Sequence, residues 1–141
     1  MNDYNFEEIE IGLSFEFCKT ITVEMMDAFF DISDDSNPLH CDDCFAKEKG
    51  FSGRVVYGML TSSLYSTLVG VYLPGKHCLL RSVFTKLLSP VYIGDVLTVN
   101  GVVNEKHIEY RLLSIKADIK NQDGIRVSKA MIQVAFSSDY K

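Results

Sequence analysis

Apolar and polar residues alternate along this chain first with a strand period, then with a helix period, and then with a strand period again. Residues 13–23 alternate loosely between aromatic or aliphatic and polar side chains, which predicts a half-buried strand. Residues 24–32 repeat apolar side chains at helical spacing behind Thr22, which suits an N-cap, so a helix is expected there. A short helix that Gly50 stops is expected next.

The longest apolar segment covers residues 59–73 and contains no charged side chain. A helix without a charged face is usually buried on most sides, so this segment is predicted to be a central buried helix. Pro74 and Gly75 follow it directly and are expected to end it.

The remainder of the chain reads as strands, at residues 79–88, 95–103, 108–120 and 125–136. The last two are separated by a turn that contains Asp123-Gly124, a pair suited to positive φ. A curved antiparallel sheet wrapped around one central helix satisfies this order. The predicted class is therefore α+β, with residues 1–141 as a single domain.

Composition excludes several classes of function. The 141 residues are 47% apolar and 23% charged, with a net charge of −5 and a pI of about 5.1. This balance argues against non-specific nucleic-acid or anionic-membrane binding. No apolar run approaches the length of a membrane span. The acidic start of the chain lacks signal-peptide features, so a soluble cytoplasmic protein is expected.

Four cysteines, at positions 18, 41, 44 and 78, are expected to be reduced thiols in a cytosol. Cys41 and Cys44 form a C-x-x-C next to His40, which leaves a metal or redox function as an alternative. Structural zinc needs four ligands, and no second pair at matching spacing is present.

The segment Asp35-Ser36-Asn37-Pro38-Leu39-His40 carries the main candidate chemistry. Pro38 ends an arriving helix, and Asn37 can hydrogen-bond its own backbone, so a turn is predicted with Asp35 and His40 at its two ends. A carboxylate and an imidazole about one water apart form a general acid/base pair. The alternative is that Asp35 caps the turn and His40 is a structural histidine.

These residues resemble a known family, the MaoC-like dehydratases, which include (R)-specific enoyl-CoA hydratases. The resemblance rests on residues 35–42, then Gly58-Met59-Leu60, Pro74-Gly75 and residues 89–95, all in collinear order. It implies a hotdog fold and a homodimer. It also implies reversible hydration of a 2-enoyl thioester of coenzyme A or acyl carrier protein, without a cofactor. A hotdog thioesterase, or a protein that only binds acyl thioesters, is the alternative.

The resemblance also implies roles for individual residues. Asp35 and His40 would be the catalytic pair, Gly58 would donate an oxyanion-hole N–H, and Asn37 would position the turn. Three more residues are expected to bind or position the substrate, with the serine lining the acyl pocket: Tyr57, Met59 and Ser66. Tyr57 stands where the family commonly has histidine, and Tyr57→His is expected to be tolerated.

The middle of this acidic chain is locally basic. A candidate rim for the phosphates of the carrier is formed by Arg54, Lys76, Arg81 and Lys86, next to His77. The alternative for each of these side chains is ordinary solvated surface.

Overall fold

A computed structural model describes residues 1–139. The helices are α1 (Val23–Ser33), α2 (Pro38–Cys41), α3 (Asp43–Glu48) and α4 (Gly58–Thr67), and a π-helical turn, Leu68–Tyr72, continues α4. The strands are β1 (Ser14–Thr20), β2 (Cys78–Leu87), β3 (Val96–His107), β4 (Leu112–Lys120) and β5 (Arg126–Phe136). Short 3₁₀ turns lie at Phe6–Glu8 and Ser137–Asp139.

The five strands form one antiparallel sheet in the order β1-β3-β4-β5-β2. Strand β3 shows the predicted alternation, because Leu97, Val99, Gly101 and Val103 are buried while the side chains between them are more exposed. One face of the sheet is therefore the floor of the core, and the α+β prediction is confirmed.

The segment formed by α4 and its π-helical turn packs on this buried face. Tyr65 and Leu68 are fully buried in the core. Leu68 lies directly against Gly101, where a Cβ would be only 2.6 Å from Leu68 Cδ2 and 3.3 Å from Ile115 Cγ2. Glycine at this inward position lets the helical segment approach the sheet backbone closely.

The central helix is buried on most sides, as its lack of charge predicted, and its exposed residues form one stripe. Met59, Ser63 and Ser66 are exposed, with Met59 at 66%. Their spacing places them on one stripe of α4, on the side away from the sheet. Uncharged side chains occupy this stripe as well, so α4 carries no charge even where it is exposed.

Three strand boundaries differ from the prediction by three or more residues. Strand β3 continues to His107, where an end at position 103 was expected. Strand β1 ends at Thr20, because Val23 already begins α1 behind the Thr22 N-cap. Residues 108–111 form the turn between β3 and β4 rather than the start of a strand. Arg111 has φ of 51° there, and its guanidinium donates to Glu7 and Asp139. These distant partners stabilise a reversal that local alternation does not reveal.

No helix among residues 1–139 is both long enough and apolar enough to cross a membrane.

We predict that Gly101→Ala lowers the free energy of unfolding by about 1–3 kcal/mol, the usual cost of overpacking a core. Leu68 is fully buried, so its side chain would have to shift within the core to make room for the new methyl group. Urea denaturation measures the change. Gly70→Ala is the matched control, since a Cβ at Gly70 meets nothing within 4 Å. Equal effects at the two glycines would show that helix and sheet do not need this close approach.

Candidate active site

The turn from Asp35 to His40 is built by side chains that accept hydrogen bonds from backbone N–H groups two residues further on. Asp35 Oδ1 accepts from the N–H of Asn37 at 3.1 Å, and Asn37 Oδ1 accepts from the N–H of Leu39 at 2.9 Å. Asn37 is the N-cap of α2, and Pro38 occupies its first turn. The sequence Asp-x-Asn-Pro thus determines the shape of the turn locally.

Residues 54–57, which we name the crossing segment, are bonded across this turn. The N–H of Val55 donates to the carbonyl of Leu39 at 3.0 Å. Arg54 Nε donates to the carbonyl of His40 at 2.7 Å. These bonds connect the turn to the crossing segment. The crossing segment in turn forms an isolated β-bridge with residues 91–92.

Tyr57, at the end of the crossing segment, is 2% exposed and contacts both ends of the turn. Its hydroxyl donates to the carbonyl of Asp35 at 2.9 Å, and its ring lies 4.3 Å from the His40 ring, centroid to centroid. On another side the ring packs against Phe29 of α1, at 4.8 Å. Burial, and next the neighbouring Cys41 thiol, raise the pKa of Tyr57 to about 12, so the phenol is a neutral donor near pH 7.

His40 has a defined tautomer. Its Nδ1 lies 2.7 Å from the carbonyl oxygen of Val55. A carbonyl only accepts hydrogen bonds, so Nδ1 must carry the proton and donate. In neutral His40 the other nitrogen, Nε2, then has a free lone pair. The ring is therefore oriented to accept a proton at Nε2.

A cleft of about 440 Å³ opens beside this ring. Its lining combines His40 and Gly58 with mostly apolar side chains: Phe51, Val55, Val56, Thr61, Leu87, Leu88, Ser89, Pro90, Val91 and Val127. Asp35 is not one of the lining residues, and it lies on the exposed loop. The structure thus places His40 and Gly58 in one cleft, with Asp35 at the far end of the same turn.

Gly58 is the first residue of α4. Its N–H meets no acceptor within residues 1–139, as expected for the first turn of a helix. A Cβ at this position would collide with Cδ1 of Leu87, so only glycine fits without a shift of that side chain. The site therefore offers a free backbone donor at the positive end of the helix dipole.

Comparison with known proteins supports one family. The sequence model of a protein family described as "MaoC like domain" matches residues 6–123. The chain belongs to the MaoC-like family. The (R)-specific enoyl-CoA hydratase of Aeromonas caviae is 31% identical over 118 residues, which cover 84% of this chain and 88% of that protein. The (R)-specific enoyl-CoA hydratase of Rhodospirillum rubrum is 35% identical over 105 residues, which cover 72% of this chain and 73% of that protein.

Solved structures of MaoC-like proteins agree with the sheet and central helix described above. The (R)-hydratase from A. caviae that is involved in PHA biosynthesis superposes with a TM-score of 0.88 at 29% identity. The superposition covers 92% of this chain and 98% of that one. An (R)-hydratase from Pseudomonas aeruginosa superposes with a TM-score of 0.87 at 27% identity. The hotdog fold expected from the MaoC-like motifs is confirmed.

Two residues expected near the substrate lie outside the cleft described above. Ser66 and Met59 are on the exposed stripe of α4, and neither lines the cleft. The helical period explains this, because positions near Thr61 face the cleft whereas positions 59 and 66 point to the other side. Ser66 thus does not line this cleft within one chain, and its expected place in the acyl pocket stays a prediction.

The four basic residues expected to form a phosphate rim do not gather at the cleft. Lys76 pairs with Asp3 at 3.2 Å, and Lys86 lines a separate groove on the outer face of the sheet. Arg81 is an exposed residue of β2. Only Arg54 lies beside the turn, and its Nε is bonded to the His40 carbonyl.

The C-x-x-C segment is used for local structure. Asp42 caps α3 by accepting from the N–H groups of Cys44 and Phe45, and Cys41 Sγ lies 3.7 Å from the Tyr57 hydroxyl. Among residues 1–139, no three His, Cys, Asp or Glu side chains are placed to hold a metal ion. The four cysteines are free thiols.

Sequence reasoning missed the carbonyl of Val55 and the cleft wall contributed by Leu87 and Val127. Leu87 ends β2 and Val127 lies near the start of β5, so the sheet brings them to α4 from distant parts of the chain. Their type and local pattern are those of ordinary strand residues. Only the strand order reveals their position.

Proposed function

We propose that this chain is a hydro-lyase that reversibly hydrates a 2-enoyl thioester of coenzyme A or acyl carrier protein to the (R)-3-hydroxyacyl thioester. The observation that carries the proposal is the shared cleft of His40, with its free Nε2, and the unpaired N–H of Gly58. The named activities of the A. caviae and R. rubrum relatives support the reaction type.

Hydration requires a base for water, a proton for C2 and stabilisation of the charge that develops on the thioester oxygen. Asp35 and His40, at the two ends of one turn, would orient the water that attacks C3 and would transfer both protons. Free Nε2 of His40 is suited to accept a proton. The same groups serve dehydration in the reverse direction.

The N–H of Gly58 would donate to the thioester oxygen. Negative charge on that oxygen increases toward the transition state, so the donor stabilises the transition state more than the bound substrate. The helix dipole of α4 acts in the same direction. The absence of a side chain lets the thioester approach the backbone closely.

We also propose that two copies join through β2 to form a homodimer. β2 is an edge strand whose outer side has no partner strand within residues 1–139. Several of its apolar residues, and one just after it, are exposed: Leu80, Val83, Phe84, Leu87 and Leu88. Pairing this edge with a second copy would satisfy its backbone groups and cover these side chains. The free cysteines are consistent with the cytoplasmic location that we propose.

We predict that Asp35→Asn and His40→Ala each lower kcat for crotonyl-CoA hydration by about two to four orders of magnitude, the usual scale for acid/base residues. Loss of the enoyl absorbance measures hydration, and thiol release measures thioester cleavage in parallel. Chiral analysis of the product tests its (R) configuration. Thiol release without hydration by the wild-type protein would favour a thioesterase instead. Near wild-type hydration by either variant would contradict its assigned role.

We predict that Gly58→Val lowers kcat/KM by at least about a hundredfold, as expected for loss of one oxyanion donor. The Val side chain would meet both Leu87 and the substrate. The double variant Gly58→Val/Leu87→Ala relieves the collision inside the protein, and it should stay impaired because the side chain still keeps the thioester away. Circular dichroism checks folding. Full recovery in the double variant would mean that Gly58 serves packing alone.

We predict that Phe84→Lys weakens the dimer at least about tenfold. Antiparallel pairing of a strand with its own copy brings residues near the middle of the strand together, so the two lysines would repel each other. Light scattering over a dilution series measures the dissociation. Cys18→Lys, on the opposite edge strand β1, is the matched control. A wild-type monomer at micromolar concentration would refute the dimer.

A further inference from the structure

We propose that Tyr57 is a positioning residue of this active site, whose one side chain sets the placement of Asp35 and His40 relative to each other. The inference rests on the proposed function. It goes beyond the family pattern, because tyrosine here stands where MaoC-like proteins commonly have histidine.

The hydroxyl of Tyr57 fixes the Asp35 end of the turn. The side chain of Asp35 accepts only the N–H of Asn37, a bond inside the turn itself. Its main chain makes two bonds: the N–H donates to Ser33 Oγ, at the end of α1, at 3.2 Å, and the carbonyl accepts from the Tyr57 hydroxyl at 2.9 Å. Only the Tyr57 bond connects Asp35 to the crossing segment. Asp35 is exposed, so core packing does not restrict it. Without this bond, the carboxylate would lose its nearest connection to the crossing segment.

The ring of Tyr57 fixes the His40 end. It lies between His40 and Phe29, with centroid distances of 4.3 Å and 4.8 Å. The Val55 bond determines which nitrogen of His40 carries the proton, whereas the Tyr57 ring, packed against the imidazole at an angle of 30°, restricts its rotation about that bond. The direction of Nε2 therefore depends on Tyr57.

A histidine at position 57 would not reproduce these contacts. An imidazole side chain is shorter than a phenol side chain. Its ring nitrogens would not reach the Asp35 carbonyl, which would therefore lose the hydrogen-bond donor that Tyr57 supplies. The structure therefore changes the expectation from sequence, and Tyr57→His should impair this protein.

The test uses Tyr57→Phe, which removes the hydroxyl and keeps both ring contacts. We expect kcat for enoyl-CoA hydration to fall about five- to thirtyfold, with KM changed less than about twofold, because the bond aligns a reacting group and does not bind substrate. Tyr57→His should lower kcat at least as much.

Tyr65→Phe is the matched control. Tyr65 is also fully buried, burial raises its pKa to about 12, and its hydroxyl bonds to Ser128 Oγ at 2.8 Å, away from the turn. The Tyr65→Phe variant should lose about as much stability as Tyr57→Phe. At temperatures well below its Tm it should keep the wild-type kcat. Equal losses of kcat in the two variants would show a general effect of removing a buried hydroxyl and would overturn the proposal.

A double-variant cycle tests whether Tyr57 acts through Asp35. In the Asp35→Asn background, Tyr57→Phe should have little further effect on kcat, because the group it positions is already disabled. Independent, additive losses would overturn the positioning role. If the wild-type protein hydrates no enoyl thioester, the proposed function fails. If wild type is active, Asp35→Asn is inactive and Tyr57→Phe equals wild type, this inference alone fails.

Discussion

The bonding between the crossing segment and the Asp35–His40 turn is the constraint on which the rest of the site depends. The turn is short and exposed, and its own side chains determine only its local shape. The crossing segment bonds to it at Leu39, His40 and Asp35, and then leads into α4 at Gly58. The proposed acid/base pair and the proposed oxyanion donor are therefore placed by one stretch of backbone.

The sheet and the central helix supply the frame that this stretch requires. Gly101 lets the segment after α4 approach the sheet, which buries Leu68 against the backbone of Gly101. Because α4 is seated in this way, its N-terminus faces the end of β2, and Leu87 becomes a wall of the cleft. The packing of Leu68 on the sheet, near one end of the helical segment, therefore helps to place the N–H of Gly58 at the other end.

Much of the fold was predictable, because its signals are local. Alternation identified the strands, the uncharged run identified the central helix, and Asp-x-Asn-Pro identified the turn. Long-range partners determined what was missed: Glu7 and Asp139 stabilise the reversal at Arg111, and the carbonyl of Val55 selects the tautomer of His40. The motif gives the position of Ser66 along the helix but not which face of the helix meets the cleft, because packing on the sheet determines that face.

The hydrogen bond from His40 Nδ1 to the carbonyl of Val55 leaves Nε2 as the one ring nitrogen through which His40 can exchange protons. A proton accepted at Nε2 cannot depart through Nδ1, because that atom already faces a carbonyl that only accepts. In the proposed reaction, each proton that His40 takes up at Nε2 must therefore leave by the same atom. The ring is then restored to its starting tautomer without rotating, so it is ready for the next turnover in either direction.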